Sequence, residues 1–195
     1  MGKATKLKHA RRLEREQNAS RHLWHGGIGG LKFGDYLLPP SITRDLLSVS
    51  NHMVEARADR VYMTTDLELA RSYAAEVQSL GRRSGLYRVE PVGAPEIDPD
   101  FPAVGLSARR ARVLEVVAED IELDAVERLK RAARYLAWDD GRPMYSSAGK
   151  LRLTKELEAL GVTQGEVDVT VPAWTEPDYA LTLLHRAFAS RASAD

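Results

Sequence analysis

Hydrophobic and polar positions follow two different patterns along the chain, and the change comes near residue 121. Before it, short apolar stretches rich in Val, Leu and Tyr are separated by glycine and proline, which favours strands joined by turns. We predict a strand ending at His25 before a glycine-rich turn, and further strands around residues 36–38 and in "DRVYMT", "GLYRVEPVG" and "RARVLEVVAEDI". A proline-rich loop is expected to join the last two strands.

One helix is predicted within this strand-rich region, in the segment "TTDLELARSYAAEVQSLG". Thr65 or Asp66 can cap it, because a side-chain oxygen can accept hydrogen bonds from the free N–H groups of the first turn. Apolar side chains at helical spacing form one face, and Gly81 ends the helix. A tight turn between the preceding strand and this helix could bring the rings of Tyr62 and Tyr73 to face each other.

The region after residue 121 is predicted to be mainly helical, in "LDAVERLKRAARYLAW", "SAGKLRLTKELEALG" and "PDYALTLLHRAFASRA". Between the last two, "GEVDVTVPAW" alternates apolar and polar residues and predicts a strand. The fold class expected is therefore α+β, with a sheet domain over residues 22–121 and a C-terminal helical extension over residues 122–195. Leu129, Leu136 and Trp138 are expected to cover the sheet domain.

Composition narrows the class of protein. Of the 195 residues, 44% are apolar and 29% charged, as in ordinary globular proteins. The absence of cysteine excludes disulfides, thiolate catalysis and cysteine-ligated zinc, and no spacing of histidine and acidic residues predicts another metal site. No apolar run approaches the roughly 18 residues of a membrane span, and the N-terminus lacks the apolar core of a signal peptide. We expect a monomeric cytoplasmic protein without membrane contact.

Charge is balanced over the whole chain, with 28 basic and 28 acidic residues, but not at its start. Residues 1–22 carry seven Lys and Arg against two Glu. Leu7, Ala10 and Leu13 recur at helical spacing, so we predict a basic helix over residues 1–21. Such a helix could contact nucleic acid or an acidic surface; a solvated, frayed terminal helix is the alternative.

Two short stretches carry residues suited to binding a flat ring. In "LWHGG", His25 and the glycine after it can direct an imidazole ring and an unobstructed backbone N–H into one cleft. Tyr62 and Tyr73 could hold a planar cationic ring between them by stacking and cation–π attraction. The alternative is that these tyrosines are core residues. The glycines of "HGGIGG" do not form a phosphate-binding motif, because the spacing GxGxxG and a Walker lysine are both missing.

A third stretch, "PEIDPD", places acidic side chains in a loop stiffened by prolines. One carboxylate held at the mouth of a cleft could orient a sugar hydroxyl or take a proton. The alternative is that all of them are solvated surface residues. The carboxylates are those of Glu96, Asp98 and Asp100.

These stretches, in this order, resemble the NAD-dependent ADP-ribosyltransferases that inactivate rifamycin (rifampin) antibiotics. The similarity covers roughly residues 22–121 and runs through "LWHGGIGGLKFGDYLLPP", "VYMTTDLELARSY", "YRVEPVG", "IDPD" and "FPAVGLSARRARVLEVV". The resemblance implies a split antiparallel sheet in which NAD, the co-substrate, binds between the two halves. The resemblance further implies that this chain transfers ADP-ribose, and that such transfer to an antibiotic would confer resistance.

The resemblance also implies roles for individual residues. His25 would bind the ribose on the nicotinamide side, and Gly26 would offer its backbone to the carboxamide. Tyr62 would stack on the nicotinamide, and with Tyr73 it resembles the nicotinamide sandwich of the diphtheria-toxin and poly-ADP-ribose polymerase branch. Asp98 would be the catalytic acidic residue, alongside His25 and Tyr62. Because a proline follows Asp98, we expect an extended backbone and an exposed, ionised carboxylate there.

The acceptor of ADP-ribose is left open by this resemblance. The segment "PPSITRDLLSVSNHMVEARAD" is longer than its counterpart, in a region that shapes the acceptor side of the family's site. We expect a mono-ADP-ribosyltransferase acting on a rifamycin-like antibiotic, another small molecule, a protein or a nucleic acid. One alternative is a non-catalytic module that binds NAD or ADP-ribose. Another is an enzyme like the NAD-dependent RNA 2′-phosphotransferases, supported by Arg109, Arg110, Arg112 and the basic N-terminus.

Overall fold

A computed structural model describes residues 22–43 and 57–192 of the chain. The fold class is α+β, as predicted, with one antiparallel sheet of seven strands and six helices among the described residues. The chain divides into two compact units, the first reaching Ile121 and the second beginning at Glu122. The basic helix predicted over residues 1–21 lies outside the described residues, as does most of the longer segment after Thr43.

The sheet belongs to the first unit. Its strands are β1 (Leu23–Ile28), β2 (Tyr36–Leu37), β3 (Val61–Thr64), β4 (Ser84–Pro91), β5 (Glu96–Ile97), β6 (Gly105–Ala108) and β7 (Ala111–Glu119). Their order across the sheet is β2-β7-β4-β1-β3-β6-β5, and all neighbours are antiparallel. Two helices accompany it, α1 (Pro40–Thr43) and α2 (Leu67–Ser79).

Strand β1 is longer than predicted. Instead of ending at His25, it continues to Ile28, because every position from Leu23 onwards pairs with β4. The glycines after His25 serve close packing rather than a turn. A Cβ atom at Gly26 would lie 1.8 Å from the backbone oxygen of Ala70 in α2. The chain reverses later, at Gly30, whose φ of 95° favours glycine.

The stretch between β4 and β7 was predicted to be a loop, and that prediction was wrong. It contains β5 and β6, which pair with each other, while β6 also pairs with β3. Its prolines do not interrupt these ladders because they all lie outside the two strands. The prolines are Pro95, Pro99 and Pro102.

Helix α2 confirms the prediction made for this segment. Asp66 is its N-cap, and its carboxylate accepts hydrogen bonds from the N–H groups of Glu68 and Leu69 at 2.9 and 3.1 Å. Gly81, with a φ of 74°, follows its end. The helix packs against β1 through small buried side chains, including Ala70 and Ala74, so the helix and strand backbones approach closely.

One hydrophobic cluster of the first unit lies on the face of the sheet opposite helix α2. Alternate residues of the central strands point to this face, as expected for a period of two. The buried apolar side chains of this cluster are Leu23, Leu37, Val61, Met63, Tyr87, Val89, Ala108, Ala111 and Val113.

The second unit is helical and has its own core. Its helices are α3 (Ala125–Ala132), α4 (Lys155–Ala159), α5 (Gln164–Thr170) and α6 (Pro177–Ala192). Leu129 is buried in that core, and Leu136 and Trp138 pack against it. The structure thus assigns these three residues, which were expected to cover the sheet, to the core of the second unit. None of the described helices is long and apolar enough to cross a membrane.

Helix α5 replaces the strand predicted in "GEVDVTVPAW". Its N-terminus is a capping box: the Thr163 side chain accepts from the Glu166 N–H, and the Glu166 carboxylate accepts from the Thr163 N–H at 2.8 Å. This arrangement satisfies backbone groups that a helix start otherwise leaves free. The capping signal outweighs the alternation of apolar residues, and Val169 is left 89% exposed.

Candidate functional site

The sheet opens between β1 and β3. Within the described residues these neighbouring strands pair at a single register position, Trp24 with Thr64. Beyond it, β1 stays paired with β4 on its other side, and β3 stays paired with β6. A cavity of about 490 Å³ lies at this opening, with a mostly apolar lining from β1, β3, α2, the turn after β5 and the segment from β2 to α1.

All five residues selected from the sequence line this cavity. They come from four separate segments, namely β1, β3, α2 and the turn that follows β5. Of the three carboxylates in the acidic stretch, that of Asp98 lies in the cavity wall. The five residues are His25, Gly26, Tyr62, Tyr73 and Asp98.

The ring of His25 is tied to the opposite strand. Its Nδ1 atom lies 2.8 Å from the carbonyl oxygen of Tyr62. Because a carbonyl oxygen only accepts, Nδ1 carries the proton and Nε2 of the neutral ring is a hydrogen-bond acceptor. Burial lowers the pKa of His25, and the Tyr62 carbonyl partly opposes this shift. The neutral imidazole can thus accept a hydrogen bond from a ligand hydroxyl.

Gly26 lets the helix lie directly on the strand. A Cβ atom there would come within 1.8 Å of the Ala70 oxygen and 2.7 Å of the Ala74 nitrogen. In an antiparallel strand, alternate residues direct both their N–H and C=O groups to the same neighbour. After Trp24, the side of β1 that faces away from β4 therefore presents backbone donors and acceptors to the cavity. These groups suit a ligand amide.

Tyr62 is half-buried and held by its hydroxyl. That oxygen accepts a hydrogen bond from the backbone N–H of Arg57 at 2.6 Å. Burial raises the pKa of Tyr62, so its side chain stays neutral at physiological pH. The ring is therefore an uncharged, anchored surface within the cavity.

Tyr73 is both a wall of the cavity and a packing residue. Its ring meets that of Phe101 edge-on, with centroids 6.2 Å apart and planes at 86°. Phe101 is itself buried and also lines the cavity. Burial raises the pKa of Tyr73 far above its usual range. The sequence left two alternatives for the tyrosines, walls of a binding pocket or core residues. Tyr73 combines both, because it lines the cavity and packs against a buried ring.

Asp98 is buried, which corrects the expectation of an exposed carboxylate. Its side chain is 4% exposed, because the backbone turns back immediately after it, with the Phe101 N–H donating to the Asp98 carbonyl at 3.3 Å. A carboxylate oxygen accepts from the Asp100 N–H at 3.1 Å. A Cβ atom at Gly105 would lie 2.7 Å from the Asp98 Cβ, so the glycine makes room for the turn.

The surroundings of Asp98 disfavour its charged form. Burial raises the pKa of this carboxyl group, and the nearby Asp100 adds to the shift. The hydrogen bond from the Asp100 N–H opposes it. A carboxylate in such a poorly solvated wall interacts more strongly with a positive charge in the cavity than a surface carboxylate would.

Sequence reasoning missed an ion pair that links the residue before β3 with β5, the strand that precedes Asp98. Arg60 lines the cavity and is 7% exposed, and its guanidinium donates to the carboxylate of Glu96. The guanidinium of Arg57 lies 3.5 Å from the same carboxylate. Glu96 therefore pairs with a buried arginine, although its own side chain stays 55% exposed. The only sequence signal was the charged run "RADR" directly before β3.

The sequence matches no protein-family model, and no curated protein matches it significantly.

Proposed function

We propose that this protein is a mono-ADP-ribosyltransferase, which cleaves NAD at the nicotinamide–ribose bond and transfers ADP-ribose to an acceptor. One observation carries the proposal: the four residues chosen for their similarity to the rifamycin ADP-ribosyltransferases line the same cavity, together with Tyr73, which was chosen for its similarity to the diphtheria-toxin and poly-ADP-ribose polymerase branch. Their positions in the chain span more than seventy residues, so sequence proximity does not explain their meeting. The opening of an antiparallel sheet at this cavity also supports a split-sheet ADP-ribosyltransferase fold.

The nicotinamide end of NAD would bind against Tyr62 and β1. The nicotinamide ring of NAD is planar and cationic, and each aromatic contact adds about 0.5–1.5 kcal/mol to its burial. The backbone of Gly26 and its neighbours would pair with the carboxamide. Tyr73 would close the other side of the ring, with Phe101 supporting it.

The adjoining ribose would contact His25 and Asp98. Nε2 of neutral His25 would accept a hydrogen bond from a ribose hydroxyl. As the bond breaks, nicotinamide leaves with the bonding electron pair and becomes neutral, so its departure needs no proton. The Asp98 carboxylate would stabilise the positive charge that develops on the ribose. The acceptor then bonds to the anomeric carbon and loses a proton, which Asp98 can take.

The decisive experiment follows nicotinamide release from NAD by chromatography. The protein would be incubated with NAD alone and with rifampicin, single-stranded RNA or a protein lysate as acceptor. We expect nicotinamide release that Asp98→Asn slows strongly, and transfer of labelled ADP-ribose to one acceptor. Binding of NAD without release under every condition would instead indicate a non-catalytic binding module. Failure to bind NAD would overturn the proposal.

A further inference from the structure

A second surface of the first unit combines arginines with exposed aromatic rings. Phe33 and Tyr36 are 71% and 49% exposed. The guanidinium carbon of Arg110 lies 5.3 Å from the ring centroid of Tyr36, and that of Arg112 lies 5.9 Å from the centroid of Phe33. We refer to these four residues as the arginine–aromatic surface.

Backbone pairing fixes the position of this surface. Tyr36 lies opposite Arg112 in the β2–β7 ladder, so both side chains point to the same face of the sheet. Their neighbours Leu37 and Ala111 point to the buried face. The loop before β2 is held by two hydrogen bonds with the backbone of Val113, of 2.8 and 2.9 Å. The rings are therefore presented by ordered backbone.

The charge around the arginine–aromatic surface is positive. Lys32 and Arg109 are also exposed and extend the basic region. Two acidic residues lie beside it: the Asp35 carboxylate accepts from the Lys32 N–H at 2.8 Å, and Glu90 lies opposite Arg112 in β4. Four basic side chains thus stand against two acidic ones, although the chain as a whole is neutral.

We propose that the arginine–aromatic surface binds single-stranded nucleic acid and presents it to the cavity as the acceptor of ADP-ribose. Exposed ring faces stack on unpaired bases, and neighbouring guanidinium groups pair with phosphates. Tyr36 also lines the cavity, so a strand stacked on this ring lies at the cavity's edge. An acidic protein would contact the arginines but would leave the exposed rings unused. The acceptor role rests on the proposed function, whereas nucleic-acid binding does not.

Binding is tested with the full chain and fluorescently labelled single-stranded RNA and DNA of mixed sequence, by anisotropy over a series of salt concentrations. The double variant Arg110→Ala/Arg112→Ala should bind more weakly. The slope of log affinity against log salt concentration should fall by the amount that about two phosphate contacts contribute. Tyr36→Ala should weaken binding roughly 5- to 150-fold while leaving the salt dependence unchanged. Lys155→Ala, an exposed lysine in the second unit, is the matched control and should bind normally.

Several outcomes would overturn this surface as the binding site. Because residues 1–22 are also basic, binding that none of the surface variants weakens would place it elsewhere. Equal affinity for duplexes, or for polyglutamate, would exclude stacking on unpaired bases. Strands that bind through the surface but receive no labelled ADP-ribose, while another acceptor does, would overturn the acceptor role alone. Variant-sensitive binding without any nicotinamide release would leave the surface supported and reject the proposed enzyme.

Discussion

The Nδ1 atom of His25 lies 2.8 Å from the carbonyl oxygen of Tyr62, across the gap where β1 and β3 separate. A side chain here takes the place that a ladder hydrogen bond would occupy if the strands stayed paired. The contact links two residues of the proposed NAD site and determines which nitrogen of the imidazole carries its proton. Burial of this imidazole, which the bond only partly offsets, gives the site a dependence on pH.

Acidification should destabilise the protein through His25. Burial holds its pKa below the ordinary value of about 6.5. Its contribution to the free energy of unfolding is complete above that value and is lost as the pH falls through the folded-state pKa. The variant His25→Gln has no imidazole to protonate, so it does not lose this stability on acidification. The melting temperature of the wild type should therefore approach that of the variant as the pH falls from about 7.5 to 5. If the melting temperatures of wild type and variant instead change in parallel over that pH range, the buried imidazole does not titrate there.

Asp98→Asn should slow nicotinamide release by a factor of about 10²–10⁴, the usual effect of removing a catalytic carboxylate. Affinity for NAD should change little, because stacking and backbone contacts remain. The control is Asp100→Asn, which keeps the backbone N–H that Asp98 accepts from and should stay within a few-fold of wild type. Glu96 is less suitable as a control because it pairs with the buried Arg60. If Asp100→Asn were inactive and Asp98→Asn active, the catalytic carboxylate would be that of Asp100.

The substitution Asp98→Asn should also stabilise the fold at neutral pH. The folded-state pKa of Asp98 is raised, so its contribution to stability is complete at low pH and is lost as the pH rises through that pKa. Asparagine never ionises. The melting temperature of Asp98→Asn relative to wild type should therefore increase between about pH 3.5 and pH 7, as thermal unfolding followed by circular dichroism would show. A difference that shrinks with rising pH would contradict the buried environment of this carboxyl group.

The two tyrosines should differ in what their loss affects. Tyr62→Ala should weaken NAD binding by about 1–3 kcal/mol, because stacking and apolar burial are both lost. Tyr62→Phe, the control, keeps the ring and loses only the hydroxyl that accepts from Arg57, so NAD should bind nearly normally. Tyr73→Ala should have a smaller effect on affinity. It should instead lower the free energy of unfolding by about 2–4 kcal/mol, because the ring packs on Phe101.

Calorimetric titration with NAD, together with urea unfolding, separates these effects. Wild-type affinity in a folded Tyr62→Ala protein would exclude this ring from the NAD site.

Gly26→Ala should destabilise the first unit by about 1–3 kcal/mol, as overpacking does in tightly packed regions. The added methyl group would overlap the backbone oxygen of Ala70, and a helix backbone cannot move as a flexible side chain can. Gly165→Ala in α5 is the control, since its nearest atom would be 4.0 Å from the new Cβ and alanine favours helix. Chemical denaturation of both variants measures the contrast. If Gly26→Ala proved as stable as wild type, α2 would not lie against β1 as closely as described.

Local patterns predicted the elements that their own residues determine. The strand β3 and the helix α2 follow from short-range signals, above all the capping carboxylate of Asp66. The strands β5 and β6 were missed because their sequences, "EI" and "GLSA", are too short or too poor in strand-forming residues to show a pattern; β6 forms by pairing with β3, and β5 by pairing with β6. In α5 the reverse occurred, because the capping pair Thr163 and Glu166 decided the structure against the alternating pattern.

The identities of the candidate site residues could be read from the sequence, but their environments could not. The burial of Asp98 depends on the turn to Phe101 and on the close approach of Gly105, neither of which a proline-rich stretch predicts. The ion pair of Arg60 and Glu96 joins residues 36 positions apart. Such contacts arise only when the strands assemble, so they lie beyond any local pattern.

Strands β1 and β3 pair at a single position, so main-chain groups rather than side chains are expected to select the ligand of the cavity. Donors and acceptors that would otherwise complete a ladder face the cavity, and a bound amide can pair with both kinds. A ligand with an ionised carboxylate in place of the amide can only accept, so it would leave the backbone carbonyl groups unsatisfied, and a bare ring would leave donors and acceptors alike unsatisfied, at a cost of about 1–3 kcal/mol for each buried group. Discrimination between nicotinamide and nicotinic acid is thus expected to persist through side-chain substitutions, for as long as the two strands remain apart.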